Sequence, residues 1–201
     1  TPFLVGLPSE TSADTSEEKG LAIVREADNR NNGFGDSTAE MRMVLKNRHG
    51  QESIREMRVR TLEVEDDGDK SLSIFDTPRD VKGTAFLTFS HKVGDDDQWL
   101  YLPALKRVKR ISSRNKTGSF MGSEFAYEDI SSQEVEKYKH KWIRDEKYDG
   151  QDCFVVEFYP VDKKNSGYTR QVTWIDKKEY RVLKVDYYDR KDSHLKTLTM
   201  K

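Results

Sequence analysis

Residues 99–130 read WLYLPALKRVKRISSRNKTGSFMGSEFAYEDI. The stretch opens as a half-apolar strand over 99–102, turns at Pro103, and continues as a basic strand over 108–111. It then enters a segment, 112–125, rich in Gly and aromatics and without helical or strand period. Successive side chains on a strand point to opposite sides, so Lys106, Val108 and Arg110 share one face and Arg107, Lys109 and Ile111 the other. Charge on both faces suits a sheet edge or rim better than a packed centre.

Outward from this stretch the dominant period is two. Met41, Met43 and Leu45 alternate with Arg42 and Lys46, as in a strand with one wet face. A second strand over 54–64 carries Met57, Val59 and Leu62, and the slip in apolar phase between the last two predicts a bulge there. Asp66-Asp67-Gly68-Asp69 predicts a hairpin turn into a strand over 72–75. The run 85–89 is apolar at consecutive positions and is expected to be buried on both faces. Downstream, a short acidic helix is expected near 129–137. Strands follow over 138–146, 153–161, 168–175, 181–188 and 195–200, with Asp149-Gly150 and Ser166-Gly167 as turns. One good helix stands before all of them, over 16–30. Thr15 and Glu18 have capping-box spacing, Leu21, Ile23, Val24 and Ala27 form a narrow apolar stripe, and Asn31-Asn32-Gly33 stops it. The sum predicts a mainly β chain, an antiparallel barrel or sandwich, as one domain over 1–201 with 1–13 a poorly ordered tail.

Charged residues (35%) match hydrophobic ones (34%), so the expected core is thin or incomplete. Lys plus Arg (35) nearly cancel Asp plus Glu (36), which argues against a nucleic-acid partner and leaves only local patches to attract charge. The lone Cys153 cannot form an intrachain disulfide. With Phe154 it is expected on a central strand, its thiol inert by burial. No run of 18 apolar residues suggests a membrane span, and a start at Thr1 is read as processed, with a signal peptide removed.

Catalytic patterns are missing. The four histidines are scattered without metal-ligand spacing, and GSFMG at 118–122 puts Phe where a nucleophile elbow needs Ser. The acidic loop beginning at Glu63 lacks the closing carboxylate of a calcium site, Ile74 standing there. The expectation is a protein that is not an enzyme, with no catalytic residue, metal or cofactor.

The text WLYLPALKRVKRI…GSFMGSEFAYEDI resembles the outer-membrane lipoprotein-sorting family of LolA-like periplasmic carriers, in the branch associated with resistance-nodulation-division (RND-type) exporters. The resemblance implies a curved, incompletely closed antiparallel β-barrel, a half-barrel, with an N-terminal helix and short helices covering the concave face. It implies a hydrophobic cavity for acyl chains, expected to be lined partly by Leu87, Phe89, Trp99, Phe120, Met121 and Phe125, with Gly118 and Gly122 letting 118–125 move as a gate. Lipoprotein carriers also lock their lid with an arginine inside the cavity, for which the sequence alone assigns no position. Lys106, Arg107, Lys109, Arg110, Arg114 and Lys116 are expected to form a patch for a partner or for lipid headgroups.

The implied function is a periplasmic carrier that binds a lipid or a lipoprotein's acyl chains for delivery toward the outer membrane. Its implied partners are an inner-membrane RND-type or ABC transporter and an outer-membrane acceptor, with peripheral membrane contact. The alternative is a non-enzymatic adaptor of an envelope transport complex, acting through its basic edge.

Overall fold

A computed structural model describes residues 15–200, so the tail expected over 1–13 lies outside the described residues. Helix α1 (Ser16–Asn31) starts where the sequence says it should. The Thr15 hydroxyl accepts from the Glu18 N–H at 3.2 Å, and the Glu18 carboxylate accepts from the Thr15 N–H at 2.8 Å. These bonds satisfy amides that the first helical turn leaves free.

Six strands follow as a meander: β1 (Asp36–Lys46), β2 (Glu52–Leu62), β3 (Lys70–Thr77), β4 (Ala85–Phe89), β5 (Asp97–Leu102) and β6 (Arg107–Ile111). A second meander comprises β7 (Tyr138–Tyr148), β8 (Gln151–Pro160), β9 (Tyr168–Asp176), β10 (Val182–Asp189) and β11 (His194–Thr199). Every ladder is antiparallel and joins neighbours in sequence. Among the described residues no ladder links the two sheets, so the barrel stays open.

Residues 112–137 cross from one sheet to the other. They form no helix like the one expected near 129–137, only single 3-10 turns at Ser113–Asn115, Tyr127–Asp129 and Val135–Lys137. The bulge also falls elsewhere. β1 and β2 stay in register through Asp36↔Leu62, and the shift lies between Glu56 and Met57 against β3. Leu62 simply points to the wet face, 53% exposed. In β4, Phe86 and Thr88 are buried while Ala85, Leu87 and Phe89 are half-buried, so the strand is covered on one face, not both.

Each sheet has its own apolar layer. Met57, Phe75, Phe86, Leu100 and Ile111 line the covered face of the six-stranded sheet. On the five-stranded sheet, Val156, Phe158 and Ile175 meet Ile23 and Val24 of α1. Gly20 lets the helix sit this close, because a Cβ there would lie 2.6 Å from the Trp142 backbone nitrogen. Cys153 and Val155, alternating with Phe154 and Val156 along β8, pack on the opposite face with Trp174 and Leu183. The Cys153 thiol is fully buried, and that burial pushes its pKa up.

Candidate functional site

Beneath the centre of the six-stranded sheet the interior is filled by apolar side chains. Residues 118–127 fold into a small hairpin in which Phe120 N–H donates to the Phe125 carbonyl at 2.7 Å and Tyr127 N–H to that of Gly118 at 3.0 Å. Its turn uses Met121 and Gly122 at left-handed φ of 51° and 74°, a conformation natural to glycine and strained for methionine. Arg55 of β2 reaches in from the sheet, its Nη1 donating to the Met121 carbonyl while its Nε is buried without a partner. Phe120 is 2% exposed, its ring centroid 5.2 Å from Phe86, 5.8 Å from Tyr127 and 6.1 Å from Phe75. The hairpin is therefore a wedge, seated by aromatic packing and held by an arginine.

This placement separates the six apolar residues singled out from the sequence. Phe120, Met121 and Phe125 belong to the wedge. Leu87 and Trp99 pair across β4 and β5, one register step from the buried Phe86–Leu100 pair, so with Phe89 they face the other side of the sheet. The Phe89 and Trp99 rings meet edge-on there, 5.3 Å apart. The six residues expected to line one cavity therefore lie on two sides of the sheet.

The basic stretch lies where its charge pattern suggested, on the edge strand β6 and the turn after it. Arg110 is paired with Asp97, and Lys116 with Asp162 at 3.0 Å. Lys106, Arg107, Lys109 and Arg114 are exposed and form no ion pair among the described residues.

The open space lies on the other sheet. Helix α1 packs along β7, touches β8 and meets Ile175 of β9, and a groove runs beside it over β9, β10 and β11. This groove, of about 900 Å³, lies between Val24 and Ala27 on α1 and Ile175, Val182, Val185, Tyr187 and Leu198 on the sheet. That is within the range of sites that take a sizeable organic ligand. Asp28, Arg30, Gln133, Gln151, Glu179 and Arg181 are also in the lining, so the groove is mixed, with an apolar stretch and polar groups able to hold a polar end group. Arg30 is itself fixed, its guanidinium 4.3 Å over the Tyr180 ring and bonded to the Lys178 carbonyl at 2.8 Å.

A buried polar latch ties the crossing segment to this sheet. Asp129, whose side chain is 3% exposed, accepts from Tyr168 OH at 2.8 Å, from Ala126 N–H at 2.6 Å and from Lys196 Nζ of β11. Lys196 also donates to the Glu124 carbonyl at 2.8 Å and lies 4.9 Å over the Tyr187 ring. Burial and the Asp129 carboxylate push the Tyr168 hydroxyl far above the usual tyrosine range, so it stays a donor. Next to it Glu128 accepts from Gly167 N–H at 2.8 Å and Ser166 OH at 3.0 Å, and burial raises its pKa. The latch and Arg55 thus hold the crossing segment from the two sheets.

A family model described only as an uncharacterized protein matches residues 67–201. No curated protein matches the chain. Among solved structures it is similar to a candidate outer membrane lipoprotein-sorting protein domain from Vibrio parahaemolyticus. The two share 64% identity over 92% of this chain and 78% of that one, with a TM-score of 0.90. A DUF1329 family protein from Desulfovibrio piger is 35% identical over 92% of this chain and 79% of its own, with a TM-score of 0.87. A LolA superfamily protein from Nitrosomonas europaea shares the fold at 20% identity, over 92% of this chain and 76% of that one, with a TM-score of 0.67.

Proposed function

Because the chain belongs to the outer-membrane lipoprotein-sorting, LolA-like family and has its open half-barrel, we propose that it carries a lipid, or the acyl chains of a lipoprotein, through the periplasm. The observation that carries this reading is the 900 Å³ groove between α1 and the five-stranded sheet. A methylene moved from water into such a lining contributes about 0.8 kcal/mol, so part of one acyl chain suffices for useful affinity. The site binds without chemistry. Delivery runs toward the outer membrane, with an inner-membrane RND-type or ABC transporter as donor and an outer-membrane protein as acceptor.

Release requires the groove to change shape; the crossing segment, whose Asp129 and Gln133 line it, is the part that moves, and Arg55, outside the lining, holds that segment from the other sheet. It grips the wedge by a backbone carbonyl, an interaction independent of the wedge's side chains. Cargo that displaces the crossing segment must break this bond and the Asp129–Lys196 latch together.

A fluorescent acyl probe tests the site. The protein should bind it, and Leu198→Arg and Ala27→Trp, at half-buried positions of the groove, should weaken binding by at least about tenfold with little change in melting temperature. Arg55→Leu should speed probe entry and exit alike. Absence of probe binding, together with no lipid in the organic extract of the purified protein, would exclude the carrier. The exposed cations on the β6 edge would then favour the second reading, an adaptor that docks through that edge.

A further inference from the structure

The six-stranded sheet is electrically polarised along its strands. Because the strands alternate in direction, the connections 47–51, 78–84 and 103–106 all emerge at one end, and 63–69 and 90–96 at the other. The connections at the first end carry Arg48, Arg79, Lys82 and Lys106 against one acid, Asp80; of the flanking strand ends, Arg107 opens β6, and Glu52 opening β2 is paired with Lys46 closing β1. Arg48, Arg79, Lys82, Lys106 and Arg107 are exposed, and none is in an ion pair among the described residues. The opposite end holds seven carboxylates and one lysine, Lys92.

At the basic end the β5–β6 hairpin also presents apolar side chains. Its tip, a 3-10 turn at Pro103–Leu105, leaves Leu105 67% exposed, with Val108 (58%) directly across the ladder from the partly exposed Tyr101. Lys106 and Arg107 follow Leu105 in sequence. An exposed leucine followed by two exposed cations is poorly suited to water and well suited to a surface that is anionic outside and apolar just beneath.

We infer that this end of the sheet docks on an anionic phospholipid bilayer, with Leu105 entering the headgroup boundary and Arg48, Arg79, Lys82, Lys106 and Arg107 facing lipid phosphates. The acidic end then points away from the membrane, so the charge distribution sets the orientation as well as the attraction. An acidic protein surface would satisfy the cations but gives Leu105 no apolar layer to enter. The docking surface is separate from the groove and does not depend on what the groove holds.

Co-sedimentation of the full chain with phosphatidylcholine vesicles, with and without phosphatidylglycerol, tests the inference. Binding should need phosphatidylglycerol and weaken as salt rises, since exposed charges are screened over about 8 Å at physiological ionic strength. Each cation beside an anionic leaflet adds to the attraction, so Arg79→Glu combined with Arg107→Glu should weaken binding by more than about tenfold. Leu105→Asp should weaken it comparably. Val93→Asp, at a still more exposed apolar site on the acidic end, should leave it unchanged. The groove variant Ala27→Trp should still dock, which separates docking from uptake of lipid as cargo. No partition onto anionic vesicles, or partition unaffected by Leu105→Asp, would overturn the inference.

Discussion

Asp129→Leu should lower the melting temperature by roughly 6–20 °C. Removing one partner of a buried ion pair costs about 3–5 kcal/mol, and each kcal/mol is about 2–4 °C in a chain of this size. The side chains of Lys196 and Asp129 are 15% and 3% exposed, so water cannot take over the ammonium when the carboxylate goes. Tyr168 OH and Ala126 N–H lose their acceptor in the same step. Thermal unfolding of Asp129→Leu, Lys196→Met and the double variant separates the pair from its surroundings. The double variant should recover much of the loss, because an apolar pair in place of a buried ion pair is often close to neutral. Additive losses would show that each residue acts through its other contacts and that no latch exists.

The second large effect belongs to a residue without a side chain. Gly20→Ala places a Cβ 2.6 Å from the Trp142 nitrogen and 2.9 Å from Lys141 backbone atoms, and backbone cannot swing aside as a flexible side chain would. Helix α1 must lift from β7. Forced overpacking costs about 1–3 kcal/mol, which corresponds to roughly 2–12 °C. Because Val24 and Ala27 on the same helix form one wall of the groove, acyl-probe affinity should fall along with stability. The exposed Ala22→Gly serves as the comparison: it costs helix propensity, about 1 kcal/mol, without moving the helix. Equal probe affinity in Gly20→Ala and the wild type would mean that α1 is no wall of the site.

What the sequence made legible was local. Period two located the strands, and the Thr15–Glu18 box placed the start of α1, because each rests on neighbouring residues and backbone geometry alone. The face a strand turns inward is not local. The consecutive apolar residues of 85–89 suggested burial on both faces, yet only the register of β4 against β5 shows that Phe86 and Leu100 take the inside. The groove was hidden for a related reason. Val182 and Val185 are three apart, so period two puts them on opposite faces, and only the register shift between Val182 and Lys184 brings both to the groove. Arg55 stands among several arginines spaced two or three apart, at Arg55, Arg58 and Arg60. Its distinction is a carbonyl 66 positions away in the chain. Asp129 and Lys196 lie 67 positions apart, and neither looks unusual in its own neighbourhood.

The strictly sequential strand order bears on how the chain reaches its fold. Each new strand needs only the one before it, so ladder formation closes short loops and avoids the large entropy cost of distant pairing. Hairpins can therefore add one after another as the chain is made or emerges from a membrane pore. The six-stranded sheet has all its ladders by Ile111, but Phe120 and its neighbours, which cover its apolar face, come later. For that interval a complete sheet would expose Phe75, Phe86 and Leu100 to water. That makes the nascent chain most vulnerable to aggregation just before the wedge arrives, and slowing the arrival of residues 112–130 should cost more yield than slowing any strand.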